Sequence, residues 1–153
     1  MLVTCQRATI TDARVLQPEF IPREVKDRDA EVKTLSSVLR LLTDGGQSDP
    51  ALLYGPSGTG KSCIAQFTVG RLRQEVVDVN YQCVNCCGNY SRFKTLYTIL
   101  DGVNETIDIH RQSPPREVLR DRLKDYTGPA YVVILDEVEQ LQDKCLLCDL
   151  SRV

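Results

Sequence analysis

The sequence has no tryptophan, one methionine and one histidine. The lone His110 sits in a polar stretch beside Arg111, with no second ligand type nearby, so it reads as a loop residue and not as part of a metal centre. An excess of one charge is also lacking. The chain's 19 basic and 21 acidic residues leave a formal net charge of -2, so no global positive field points to nucleic acid. Any DNA contact must then come from a local patch. No stretch approaches the ~20 apolar residues of a membrane span, and the opening MLVTCQRATI lacks the apolar core of a secretory signal. No membrane association is expected, and the expected location is cytoplasmic. No internal repeat is visible.

Cysteine is plentiful instead, and its odd count of seven argues against a fully paired disulfide framework. Cys83-x-x-Cys86 and Cys145-x-x-Cys148 have the spacing of two halves of a zinc site. Cys83 and Cys86, however, fall in an apolar run that reads as a strand, where positions three apart point to opposite faces. Val84-Asn85 also offers no glycine-bearing turn between them. The expectation is reduced, buried thiols acting as small hydrophobes, with no zinc.

The length of 153 residues and the apolar fraction of 42% suit one domain or part of a larger one. Residues 1–19 carry no sustained periodicity and read as an arm. Asp27 is placed to cap a helix with Val32, Leu35, Val38, Leu39 and Leu42 on one face. Residues 43–50 form a loop by composition, and Ala51-Leu52-Leu53-Tyr54 is predicted to be a short buried strand. A helix is expected from Lys61, with Ile64, Phe67, Thr68 and Leu72 inward, then a strand over 76–86. Further helices follow over 89–100 and from Ser113-Pro114-Pro115, the latter with Val118, Leu119, Leu123 and Tyr126 inward. A third strand, YVVIL over 131–135, ends on Asp136-Glu137. Strands alternating with helices predict an α/β fold, a parallel sheet with helices on both faces.

Two segments carry chemistry. Gly55-Pro56-Ser57-Gly58-Thr59-Gly60-Lys61-Ser62 fits G-x-x-x-x-G-K-[ST] at every fixed position. Glycines let the backbone turn its N–H groups toward phosphate oxygens, and the helix that follows presents its positive N-terminal end. Lys61 is then the ligand of the β- and γ-phosphates, and the Ser62 hydroxyl is a Mg²⁺ ligand. A chance match in a chain of this length is about one in a few hundred. The second segment is the apolar strand that delivers an acidic pair. Asp136 is placed to hold Mg²⁺ through water, and Glu137 to act as the general base on an attacking water. Glu139 continues the acidic run as a solvated charge at a helix start.

With their flanking sequences, these motifs resemble the AAA+ ATPases of P-loop NTPase type, and among them the archaeal origin-recognition and cell-division-control replication initiators. The resemblance rests on Phe20-Ile21-Pro22 with Arg28-Asp29-Ala30-Glu31, Leu52-Leu53-Tyr54-Gly55, Val84-Asn85-Cys86, Asp136-Glu137-Val138-Glu139-Gln140-Leu141, and Leu146-Leu147 with Asp149-Leu150-Ser151-Arg152. It spans residues 20–153. It implies ATP or ADP with Mg²⁺ as ligands, and an opening segment folded over the adenine, which makes Ile21, Pro22, Val25 and Arg28 candidates for the base pocket. It also implies double-stranded origin DNA as a partner of the full-length parent, with other initiator subunits or the replicative helicase as further partners. The helix after the second strand corresponds to a DNA-touching insertion. Tyr90, Arg92, Phe93 and Lys94 there read equally as a contact patch or as an amphipathic helix with solvated cations.

The resemblance further implies a fourth core strand lying between the P-loop strand and the Asp136 strand. A polar sensor, an arginine finger, a helical lid and a winged-helix domain should follow it. The chain stops before these, so it is expected to be the N-terminal part of such a domain, with negligible ATP hydrolysis of its own. Cys148 also stands where the family usually has tyrosine. Another AAA+ or STAND-type ATPase, such as a transposon-encoded one, and a non-catalytic remnant are the alternative readings.

Overall fold

The computed structural model of the chain describes residues 20–22, 24–44, 46, 48–75, 78–89, 91–103 and 115–151. The arm over 1–19, Tyr90, His110, the Ser113-Pro114 helix start and Arg152 lie outside them. The described elements are α1 (Asp29–Leu39), α2 (Lys61–Glu75), β1 (Val79–Asn85), α3 (Arg92–Asp101), α4 (Arg116–Lys124), β2 (Ala130–Asp136) and α5 (Cys145–Leu150).

β1 and β2 pair in parallel from Val79↔Ala130 to Asn85↔Asp136. Strand side chains alternate between faces, so the apolar β2 serves two cores. Tyr131, Val133 and Leu135 pack against Val84, Cys86, Leu96, Ile99, Leu100, Leu119, Leu123, Leu141 and Leu146. Ala130, Val132 and Ile134 pack against Val32, Leu35, Leu39, Ile64, Val69, Leu72 and Val79 on the opposite face. Helices thus cover both faces of a parallel sheet, as the alternation of patterns requires. Each fully buried aliphatic side chain contributes on the order of 2 kcal/mol, so the helix stripes hold the layers together.

Several local expectations give way. Residues 51–54 form no strand, and Leu52 and Tyr54 are 77% and 89% exposed. A strand needs a neighbour to complete its ladder. Ala51, Leu52 and Leu53 instead share with β2 the lining of a cleft of about 320 Å³, so no strand pairs with them among the described residues. Leu53 alone of this run packs against the α1–α2 core.

Asp27 does not cap α1. It takes a left-handed turn (φ 58°), and Arg28 stands at the cap position with no side-chain cap bond. α3 begins at Arg92, not at 89, because Ser91 caps it by accepting the Lys94 N–H at 3.3 Å. Val118 is 42% exposed, since the inward stripe of α4 is narrower than predicted and runs through Leu119 and Leu123. Cys87, Cys145 and Cys148 are exposed, against the expectation of buried thiols, while Cys86 is buried and Cys63 and Cys83 are half-buried. Cys87 lies in the turn after β1, and Cys145 and Cys148 lie on the outer side of α5, whose Leu146 and Asp149 face inward.

One close approach ties α3 to the sheet. The Tyr131 hydroxyl donates to the Ile99 carbonyl at 2.7 Å. A Cβ on Gly102 would lie 2.6 Å from that hydroxyl and 2.8 Å from Gln82 Oε1, so only glycine fits there without a shift.

Candidate functional site

The loop of residues 55–60 enters α2 through three glycines at positive φ: Gly55 at 149°, Gly58 at 76° and Gly60 at 81°. Side-chain-bearing residues rarely adopt this region, which is why the turn before the helix demands glycine at these positions. Pro56, Ser57, Gly58 and Thr59 are arranged around it, with the Thr59 hydroxyl donating to the Pro56 carbonyl at 2.9 Å. The helix proper opens with Lys61 and Ser62, and the Ile64 N–H bonds to the Gly60 carbonyl at 2.9 Å. Lys61 folds back over the loop, its ammonium donating to the carbonyls of Gly55 (3.1 Å) and Pro56 (2.9 Å).

β2 brings Asp136 to this helix start. The Ser62 hydroxyl donates to Asp136 Oδ1 at 2.8 Å, joining the two motifs predicted to share a cation. Two hard oxygen donors at hydrogen-bond distance suit Mg²⁺ in chemistry, while the helix N-terminus beside them suits phosphate oxygens. Asp136 Oδ1 also accepts the Glu137 N–H at 3.0 Å. Glu137 itself is exposed and held left-handed at φ 52°, a conformation costly for a side-chain-bearing residue and frequent at functional sites. Glu139 is exposed in the following 3₁₀ turn.

Sequence reasoning missed one neighbour. Gln66, one turn beyond Ser62 on α2, donates to Cys83 Sγ at 3.3 Å. Burial pushes the Cys83 thiol up, the Gln66 bond opposes this, and the Asp136 carboxylate adds to the rise. Cys86 is pushed up to about 11, by burial first and then by Asp136 and its acidic neighbours. Both thiols therefore stay protonated beside the acidic end of β2. Among the described residues no group of three or more potential metal-ligating side chains is assembled. The signal for the Gln66 contact is its spacing of four from Ser62, which places both on one face of α2.

Of the candidates for the base pocket, Arg28 lines a second cleft of about 430 Å³ together with Glu31, Thr34, Tyr54, Thr59 and Lys61. Its guanidinium pairs with Glu31 at 2.9 Å. Val25 packs against the α1–α2 core instead, and Ile21 and Pro22 are half-buried outside that lining. In α3, Arg92 turns toward α5, donating to Asp149 and, at 3.3 Å, to Asp143. Phe93 stacks on Tyr97 at 6.2 Å between centroids and packs on the core. Lys94 is exposed, with its ammonium on the Gly88 carbonyl at 2.8 Å.

A glycine loop opening a helix, with a strand-end carboxylate bonded to the first-turn hydroxyl, defines a P-loop α/β domain. The chain belongs to the AAA domain family, which matches residues 45–150. It is 65% identical over 144 residues to ORC1-type DNA replication protein 1 of Halobacterium salinarum, covering 94% of this chain and 47% of that protein. ORC1-type DNA replication protein 9 of the same organism is 56% identical, over 99% of this chain and 44% of its own length. The chain thus spans less than half the length of these relatives. Among solved structures it is similar to the Aeropyrum pernix ORC1 protein in complex with DNA, with a TM-score of 0.74 and 27% identity over 91% of this chain and 38% of that one. The A. pernix ORC2 protein, solved in ADPNP–ADP complexes, gives 0.72 and 25% over 93% and 40%. No helix among the described residues is long and apolar enough to cross a membrane.

Proposed function

We propose that this chain is the nucleotide-binding part of an ORC1-type replication initiator, binding ATP and ADP with Mg²⁺ and engaging origin DNA under nucleotide control. The observation that carries it is the Ser62–Asp136 bond at 2.8 Å, which brings a P-loop hydroxyl and a strand-end carboxylate together at the start of α2. The 65% identity to an ORC1-type replication protein supports the choice of initiator over other ATPases of similar motif.

Each residue then has a role that follows from its position. The 55–60 loop and the N-terminus of α2 offer N–H groups to phosphate oxygens. Lys61 exchanges its bonds to the Gly55 and Pro56 carbonyls for phosphate oxygens. Ser62 and Asp136 hold Mg²⁺, which when bound neutralises phosphate charge. Arg28, with the cleft it lines, borders the base, and Ile21, Pro22 and Val25 lie on the segment leading to it. Glu137, exposed and locked beside Asp136, orients and polarises water. Within α3, exposed Lys94 exchanges its bond to the Gly88 carbonyl for a backbone phosphate, while Arg92 and Phe93 set the helix that carries it.

Calorimetry of ATP binding, with and without Mg²⁺, tests the reading. Lys61→Ala should weaken binding in both conditions. Ser62→Ala should leave Mg²⁺-free binding nearly unchanged and remove the gain that Mg²⁺ brings. Wild-type chain that is folded by circular dichroism yet binds no ATP would overturn the proposal.

A further inference from the structure

We propose that Cys145 and Cys148 form a dithiol modification site, which closes to an intramolecular disulfide on reaction with a small-molecule disulfide such as oxidised glutathione. The pair lies outside the nucleotide site, at the first turn of α5, and both thiols are exposed. Leu146, between them, is fully buried and anchors the helix, so the two cysteines share the outward side.

The entry to the helix is tight. The Leu146 N–H bonds to the Asp143 carbonyl at 3.3 Å and the Leu147 N–H to the Lys144 carbonyl at 3.1 Å, both three residues back. Cys145 and Cys148 then lie three apart in the α-helix, where residues at that spacing are neighbours on one face. Helix dimensions put Cα atoms three apart at about 5 Å, inside the span that a disulfide bridges. Asp143 fixes the start of this turn, accepting the Cys145 N–H at 2.9 Å. It also holds the Cys145 thiol protonated to higher pH, through hydrogen bond and charge. No other pair among the described cysteines shares this placement, since Cys86 is buried, Cys63 and Cys83 are half-buried, and Cys87 is exposed beside the buried Cys86.

The chemistry balances with the named reagent. The Cys148 thiolate attacks one sulfur of the small disulfide, forming a mixed disulfide and expelling one thiolate. Cys145, once deprotonated, attacks Cys148 Sγ and expels the second. Two protein thiols are oxidised, one external disulfide is reduced to two thiols, and the two protein protons pass to the departing thiolates. The closed ring draws Cys145 inward and pulls on Asp143, whose other oxygen bonds to Arg92 of α3.

The test uses the full chain, reduced and freed of reductant, then exposed to oxidised glutathione and quenched with iodoacetamide. Trypsin cuts after Lys144 and Arg152, so one peptide carries these two cysteines and no other. The expected product is that peptide lighter by two hydrogens and unalkylated, formed several-fold faster in the native chain than in urea. Cys145→Ser should instead leave Cys148 as a stable mixed disulfide. A fully alkylated peptide after oxidation, equal rates in native and urea-unfolded chain, pairing of either cysteine with Cys87, or a disulfide-linked dimer on a non-reducing gel would each overturn the proposal.

Discussion

Replacing Arg92 by methionine should destabilise the fold, because that guanidinium holds α3 to α5 through two carboxylates. Methionine keeps the apolar stem, so the change isolates the charge from the packing. The side chains of Arg92 and Asp149 are only 20% and 11% exposed. Removing one partner of a fully buried pair costs about 3–5 kcal/mol, because the other charge is left without compensation. The residual solvent contact of Arg92 screens part of this, so a loss of about 2–3 kcal/mol is expected. For a chain of this size that is roughly 5–10 °C in Tm. Urea unfolding followed by circular dichroism measures it, and the slope should stay constant while the midpoint falls. Asp149→Asn should cost clearly less in the Arg92→Met background than in the wild type, with a coupling of about 1–2 kcal/mol. A single-variant loss below about 0.5 kcal/mol, or one abolished by molar salt, would place the pair among ordinary surface bridges and refute the account.

Gly102→Ala should cost about 1–3 kcal/mol, because its Cβ would meet the Tyr131 hydroxyl at 2.6 Å and break the bond to Ile99. Tyr131→Phe in the same chain should recover part of the loss in the same unfolding assay. Stability should also fall on the basic side. Burial pushes the Tyr131 hydroxyl from 10.0 up to about 12, with Tyr126 adding to it, and the Cys86 thiol from 9.0 up to about 11. The folded state keeps these protons while the unfolded chain releases them, so their contribution is full below about pH 9 and lost as pH climbs through 11 to 12. Thermal melts from pH 8 to 12 should show this decline, and Cys86→Ala should shift its onset upward. A flat profile would count against the neutral, partly desolvated Tyr131 and Cys86.

The architecture was legible wherever one residue pattern had one structural solution. The β2 run of apolar residues suits a strand packed on both faces, and the glycine loop with Lys61-Ser62 suits a helix start. The meeting of Ser62 and Asp136 followed from those two placements. What was not legible depended on partners distant in sequence. Residues 51–54 have the composition of a strand, but composition does not supply a ladder. Val118 and Leu119 are adjacent and both apolar, and only the packing of α4 decides which is exposed. Arg92 read equally as a DNA contact or a solvated cation because its acidic partners, Asp143 and Asp149, lie some fifty residues away. The exposure of Cys145 and Cys148 turned on the orientation of a six-residue helix too short to show a periodicity of its own.

The hydrogen bond from Ser62 to Asp136 spans 74 positions of chain. A contact of that range closes a long loop, and it is held in place only once β1 and β2 align and α2 settles on them. The phosphate loop is local and can shape itself alone, but the cation position cannot. On the proposed reading, Mg²⁺ dependence of nucleotide affinity would report on whether the distant half of the sequence has arrived. A ligand that binds only the assembled state also drives assembly forward by mass action. On that reading the nucleotide would act on this chain as a folding partner.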